Sequence, residues 1–311
     1  MIEVSSLTRY YGTHAAVKDA SFTIADNEIV GFLGLNGAGK STTLKVLAGL
    51  LLPSSGSVKI DGVDIVQAPD SMRSRIGFLP EDTPLYMDMR VEDFVSYAGE
   101  LKGLSAAEVA SRLDGVLAHT GLTVRRRQVI SELSHGFRKR VGIAQAVIHG
   151  PRLVILDEPI SGLDPKQIRE IREVIVGLKE SCTVLISSHI LSEISQTCDR
   201  ILVLNEGRLI AEGTEDELAS RTAAGSRIEL EIRGERAAVE AVLRGHAAVQ
   251  NLSVTGDAGG IVSLRVTLEA DEERESLVAH IVSSGLGLRR IDEDAGELED
   301  IFLNITSAGA A

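Results

Sequence analysis

The run GLNGAGKS at residues 34–41 constrains this chain more than any other stretch. An apolar strand over 28–33 leads into it, and a helical pattern over 39–50 leads out. Gly34, Gly37 and Gly39 let the backbone curl so that its N–H groups face one point. The start of the helix adds partial positive charge at that same point. Lys40 is placed to reach the β- and γ-phosphates of a nucleotide, and the Ser41 hydroxyl to ligate Mg²⁺. A plain glycine-rich turn needs neither the lysine nor the serine. The loop predicts a strand–loop–helix unit with a phosphate-binding mouth, but does not separate kinases, GTPases, helicases and transporters.

The flanking pattern sets the fold class. Residues 152–156 and 183–187 read as apolar strands, each followed by a helical pattern, which argues for an α/β domain with a largely parallel sheet. Residues 82–148 run mostly at helical spacing, as in VEDFVSYAGELKG, and read as a helical insertion. In RLVILDEP an apolar strand ends on Asp157 and Glu158, at the edge where ligands sit in parallel sheets. One carboxylate can hold Mg²⁺ through water and the other polarise an attacking water. Two like charges this close imply a cation between them and the phosphates. In LSHGFRKRVGIAQA, Ser134 is placed to cap a helix, with Gly136 bare at its start and Arg138, Lys139 and Arg140 in its first turns. Such a helix start can hold a second anion.

Charge narrows the function classes. The net charge of −13 argues against a free-standing nucleic-acid binder, whose phosphate contacts need clustered Lys and Arg. Cys182 and Cys198 stand apart from each other and from any histidine cluster, so neither a disulfide framework nor a zinc site is expected. The N-terminus carries no signal-peptide pattern, neither end a lipidation signal, and no apolar run is long enough to span a bilayer. The run Arg125, Arg126, Arg127 fits a solvated face or a protein contact better than lipid binding. His119, His149 and His246 lack partners at ligand spacing and read as surface or capping residues.

The pattern restarts near residue 227. From Ala223 onward there are 8 Arg, no Lys and 16 Asp or Glu, a net of −8. Strands are expected over 227–233, 249–255, 261–267 and 288–292, and helices over 235–244 and 272–284, with the turn GDAGG between the middle strands. This βαββαβ order predicts a small ferredoxin-like α+β domain over 227–311, closed by a helix over 298–305. The larger domain is placed at 1–222.

Taken together in order, these segments resemble the nucleotide-binding domain of ABC transporters over about 215 residues. LSHGF is similar to that family's signature, usually LSGGQ, with His135 and Phe137 replacing Gly and Gln. SGLD at 161–164 resembles the D-loop, SSH places His189 at the switch position, and Tyr11 matches the aromatic residue that stacks on adenine. Gly207 ends the usual LNEGRLIAEGT hairpin. The resemblance implies an ATPase with ATP and Mg²⁺ as cofactors. Tyr11, the loop residues Gly34, Leu35, Asn36, Gly37, Ala38, Gly39, Lys40, Ser41 and Thr42, and Ser134, Gly136 and Asp164 would bind nucleotide. Ser41, Glu81 and Asp157 would serve the metal, and Glu158 and His189 the hydrolysis. Two departures stand out. Glu81 replaces the family's usual Gln, as it does in several ABC-2-type ATPases, and Leu35 replaces Pro at a position that contributes backbone.

The tail resembles the C-terminal domain of ABC-2-type exporter ATPases, and PEDTPLYMDM the branch with gliding-motility and copper-insertion transporter ATPases. The implied partners are a second nucleotide-binding domain, in a homodimer or heterodimer, and an integral membrane permease, with the chain on the cytoplasmic face of the membrane and no nucleic acid bound. The helical insertion is the expected socket: residues 82–95, with Tyr86, Met87 and Met89, either offer that permease an apolar surface or fill the insertion's own core. The alternative, a soluble ABC ATPase acting on ribosomes or nucleic acid, usually carries tandem ATPase domains or a long coiled-coil insertion, and this chain shows neither.

Overall fold

The computed structural model describes residues 1–222, 226–270 and 272–293. It divides into two compact units, Met1–Glu215 and Asp216–Ala311. The helix expected over 298–305 lies outside the described residues.

The first unit opens with β1 (Ile2–Tyr11), β2 (His14–Ile24) and β3 (Ile29–Leu33), followed by α1 (Lys40–Leu47), β4 (Ser55–Ile60), β5 (Val63–Asp64), α2 (Pro69–Arg73) and β6 (Ile76–Leu79). The helical insertion carries α3 (Val91–Leu101), α4 (Ala106–His119) and α5 (His135–Val147). The chain returns through β7 (Leu153–Asp157), α6 (Pro165–Leu178), β8 (Thr183–Ser188), α7 (Leu191–Ser195), β9 (Arg200–Asn205) and β10 (Arg208–Gly213). The helix α8 (Glu215–Thr222) spans the boundary between the units.

The main sheet has the order β10-β9-β3-β8-β7-β6 and is parallel except for the β9–β10 hairpin. Every residue of β3, β7 and β8 is buried, as expected of central strands covered on both faces. Their C-terminal ends place Leu33, Asp157 and Ser188 side by side, which is the edge the site needs. A second, antiparallel sheet of order β2-β1-β4-β5 was not legible in the alternation of strands and helices. Its strands bury one face, through Ile2, Val4, Phe22, Ile24, Val58 and Ile60, into the same core as β3 and α1. Register shifts near Ser6 and Asp19, both at positive φ, blur the period-two pattern that would have announced it.

The insertion has its own core. Val91, Phe94, Val95, Leu117, Ile130, Val141 and Ala144 are buried together. Ser105 and Glu108 close a reciprocal capping box at the start of α4. The C-terminal part of α5 lies hard against β6, since a Cβ on Gly77 would come within 1.9 Å of the Ala146 carbonyl oxygen. Among the residues expected at the socket, Tyr86 and Met87 are exposed, whereas Met89 packs against the insertion's core.

The second unit contains β11 (Ser226–Arg233), α9 (Arg236–Arg244), β12 (Val249–Ala258), β13 (Ile261–Leu268), α10 (Glu273–Ser283) and β14 (Gly287–Glu293). The sheet order is β12-β13-β11-β14, antiparallel throughout. Val239 and Leu243 of α9 and Leu277 and Ile281 of α10 cover one face, over Ile228, Leu230, Ile232, Val262, Leu264 and Val266. The β12–β13 turn narrows to Gly259 and Gly260, both at positive φ, so the strands run longer than the GDAGG spacing indicates.

His149 departs from the surface role expected of it. It is 8% exposed at the end of α5, its Nε2–H donates to the Ile76 carbonyl at 3.1 Å, and its Nδ1 has no partner among the described residues. Burial, with Lys102 and Arg112 nearby, pulls its pKa down to about 4. The folded form is thus neutral where the unfolded histidine already binds a proton. Stability from this group is complete above the unfolded pKa and falls as pH drops through the window between the two values. From about pH 7 to pH 4 the wild type should lose about 1–3 kcal/mol more than a His149→Gln variant, read from urea melts at each pH. Parallel profiles for the two proteins would contradict the assignment.

Candidate active site

The loop between β3 and α1 is shaped by what presses on it. Gly39 caps α1 at φ 102, and a Cβ there would lie 2.4 Å from the Ala16 carbonyl oxygen. A Cβ on Gly34 would lie 2.7 Å from the Leu204 carbonyl oxygen. The turn of the β9–β10 hairpin pins the loop further: Gly207 N–H donates to the Ala38 carbonyl, and the Gly207 carbonyl accepts from Lys18 N–H. The loop is held in its curl by backbone from β2, from β9 and from the β9–β10 turn, in two of these three places at a glycine.

A cleft of about 390 Å³ opens over this loop. Leu35, Asn36, Gly37, Gly39, Lys40, Ser41 and Thr42 form its floor, and Tyr11, Glu81, Glu158 and His189 its walls. His14 and Ala16 of β2 also line it, a placement with no local signal because the antiparallel sheet was not apparent in the strand pattern. Gly34 and Ala38 support the loop from below. Tyr11 is half-exposed, with the Arg9 guanidinium 5.3 Å from its ring centroid.

Lys40 is 6% exposed. Its ammonium donates to the Gly34 carbonyl at 2.6 Å and to that of Leu35 at 3.4 Å, and lies 3.8 Å from Glu158 Oε1. Burial pulls its pKa below the ordinary lysine range, against the carboxylates of Glu158, Asp157 and Glu81. Asp157 is buried at the end of β7, accepts a bond from Ser187 Oγ at 2.5 Å, and lies 3.5 Å from Ser41 Oγ. Ser187, missed in the sequence, also accepts the Glu158 N–H at 2.9 Å and so ties the two acidic residues to β8.

Glu158 leaves β7 at φ 49, a left-handed backbone that a residue with a Cβ adopts at a cost. The bend turns its buried carboxylate toward the cleft. His189 Nδ1 lies 3.1 Å from each of its oxygens, which fixes the Nδ1–H tautomer as donor when the ring is neutral. Burial raises the Glu158 pKa above the usual carboxylate range, opposed by His189 and Lys40. A carboxylate so raised is a stronger base.

Ser41, Asp157 and Glu81 supply hard oxygen donors, the type that suits Mg²⁺. Among the described residues no group of three His, Cys, Asp or Glu side chains could hold a metal by itself. The donor set fits an ion that keeps water and phosphate in its shell, as Mg²⁺ does.

Ser134, Gly136 and Asp164 do not line this cleft. Ser134 stands at the N-cap of α5, but its hydroxyl makes no cap bond to the helix. Gly136 packs on Gln167, where a Cβ would come within 2.6 Å of its amide oxygen. Asp164 caps α6 through the N–H groups of Lys166 and Gln167. The starts of α5 and α6 thus pack together as one surface. Of the three cations placed in the first turns of α5, Lys139 and Arg140 are buried.

Comparison with known proteins identifies the family and the fold. The profile of the ABC transporter family matches residues 17–161. The linearmycin resistance ATP-binding protein LnrL of Bacillus subtilis is 32% identical over 310 residues, 98% of each chain. The bacitracin transport ATP-binding protein BcrA of Bacillus licheniformis is 32% identical over 311 residues, 99% of this chain and 98% of its own. A solved dimeric ATP-binding cassette, MJ0796, in a post-hydrolysis state with ADP and Pi, superposes with a TM-score of 0.62 at 25% identity, over 69% of this chain and 98% of its own.

The loop geometry separates two glycines. Gly37 is at φ 85 with nothing within 4 Å of an added Cβ, whereas Gly39 meets backbone. Gly39→Ala should destabilise by about 2–4 kcal/mol and weaken ATP binding at least about 10-fold, while Gly37→Ala costs about 1 kcal/mol. Urea melts and ATP titrations of the two variants check this. Equal costs would mean that the pressure from β2 does not shape the loop.

Proposed function

The chain belongs to the ABC transporter family, as an ATP-binding and ATP-hydrolysing subunit, and on that premise we propose how its residues divide the work. Lys40 and the N–H groups of residues 34–42 hold the β- and γ-phosphates, and Tyr11 packs on the base. Ser41, Asp157 and Glu81 would hold Mg²⁺, which supplies charge neutralisation at the phosphates when bound. Glu158 takes the proton of the attacking water, and His189, bonded to it, keeps its carboxylate aimed at that water and contacts the γ-phosphate. Ser134, Gly136 and Asp164 face the nucleotide of a second nucleotide-binding domain, in a homodimer or heterodimer. The observation that carries this reading is the pairing of a strained, buried Glu158 with His189 beside Lys40.

The pair that the family resemblance implies is head to tail, and the separation of the cleft from the starts of α5 and α6 supports it. The cleft holds one side of a nucleotide, and the surface at the starts of α5 and α6 lies outside it. Two copies can close on two ATP, so that ATP favours the closed pair and hydrolysis the open one.

The pair works on an integral membrane permease, at the cytoplasmic face, as a subunit of an ABC-2-type exporter. Among the described residues no helix is long and apolar enough to cross a membrane. The names of the two relatives, resistance and transport, agree with export. Tyr86 gives the permease a landing place: it is exposed, it contacts the rings of Phe94 and Tyr97, and it lies near Glu81 in the chain. The C-terminal unit serves as an accessory domain, and the alignments with LnrL and BcrA run through it.

Lys40→Ala should lower ATP affinity at least about 100-fold, whereas His189→Ala should keep binding and lose at least about 10-fold in kcat. Phosphate-release and nucleotide-titration assays separate the two. In cells the protein should sediment with membranes and leave them when the permease is deleted. Recovery in the ribosomal fraction would replace the exporter reading by that of a soluble ATPase.

A further inference from the structure

Lys139 has no part in the chemistry assigned above, yet it lies at the centre of it. It sits on the second turn of α5 and is 4% exposed. Its ammonium donates to the Glu81 carbonyl at 2.7 Å and to the Glu158 carbonyl at 3.4 Å. Burial pulls its pKa down, against the charges of Glu81, Asp82, Asp157 and Glu158. Both hydrogen bonds go to backbone rather than to a carboxylate. A buried ammonium costs desolvation that a methionine of similar length avoids. What the ammonium supplies in return is the pair of bonds, and these join two separate strand ends to one helix.

The two carbonyls belong to consequential residues. Glu81 follows β6, where the chain leaves the sheet for the helical insertion. Glu158 follows β7 with its backbone at φ 49, a conformation that the surroundings must hold in place. The helix bearing Lys139 is the one that opens on Ser134. We propose that Lys139 is a positioning residue for ATP hydrolysis: its ammonium clamps the backbone of Glu158 and Glu81 to α5, and so fixes the aim of the catalytic carboxylate. This rests on the reading that Glu158 is the base. The clamp also gives the insertion a direct path to that carboxylate, because a shift of α5 acts on the Glu158 backbone without passing through the nucleotide.

The test is a double-mutant cycle on the full chain, with kcat and KM for ATP measured beside thermal melts. Lys139→Met should lower kcat about 10- to 100-fold with KM within about 2-fold. Lys139→Arg, which keeps cationic donors, should return to within about 5-fold of the wild type. In a Glu158→Gln background, where the aimed group is already lost, adding Lys139→Met should cost less than about 2-fold. A lysine that merely supports the fold would lower both backgrounds alike. The proposal is overturned if Lys139→Met turns over within about 2-fold of the wild type, or if its loss is the same in both backgrounds. Should the methionine variant fail to fold, Lys139→Gln, whose shorter neutral side chain cannot span both carbonyls, enters the same cycle under the same two criteria. Wild-type turnover by Glu158→Gln alone would overturn the reading beneath the proposal, and it is seen in the single variant before Lys139 is touched.

Discussion

The ammonium of Lys40 is buried 3.8 Å from Glu158, with Asp157 behind it and Glu81 across the cleft, and the rest of the first unit is arranged around that concentration of charge. Charges taken out of water stay together only where each has a partner and the backbone cannot relax away. The partners are the carbonyls of Gly34 and Leu35, the hydroxyls of Ser41 and Ser187, and the ring of His189. The rigidity comes from three buried strands whose ends lie in register, and from the carbonyls of Ala16 and Leu204 pressing on glycines of the loop. On this account the antiparallel sheet and the β9–β10 hairpin act as the buttress of a strained loop.

A second constraint ties the insertion to that centre. Gly77 lets α5 approach β6, and Gly136 lets the start of α5 settle on Gln167 of α6. Arg140 pairs with Glu170 of α6, and the guanidiniums of Arg125 and Arg140 lie 5.0 and 5.3 Å from the Phe137 ring centroid. Phe137, read from sequence as an altered signature residue, therefore has a packing role in the structure. These contacts make α5 and α6 a joined pair, with Ser134 and Asp164 at their starts.

The loop and the acidic strand end were legible because each combines unusual residues at fixed spacing with a strand before and a helix after, whereas Tyr11, Glu81 and His189 were picked out only through the family resemblance. The cleft gathers Tyr11, Lys40, Ser41, Glu81, Glu158 and His189 from segments far apart in the chain. What was not legible depended on contacts that leave no local pattern. Ser187 reads as one more residue of an apolar strand, and His14 as a polar residue before one. Lys139 sits between two arginines in the first turns of a helix, with no local sign of burial, yet Arg138 stays half-buried while Lys139 and Arg140 turn inward. His149 lacked any signal of burial, since its partner is a backbone carbonyl 73 positions away.

The central claim is that one ATP is shared between the loop over Lys40 in one copy and the helix start at Ser134 in the other. Light scattering on Glu158→Gln with ATP and Mg²⁺ tests this most directly, because slow hydrolysis should leave the closed pair to accumulate. The account predicts a particle of twice the monomer mass with ATP and a return to monomer with ADP, and no such doubling when Ser134→Arg is added. A protein that stays monomeric at saturating ATP, or that pairs equally well with Ser134→Arg, would contradict it.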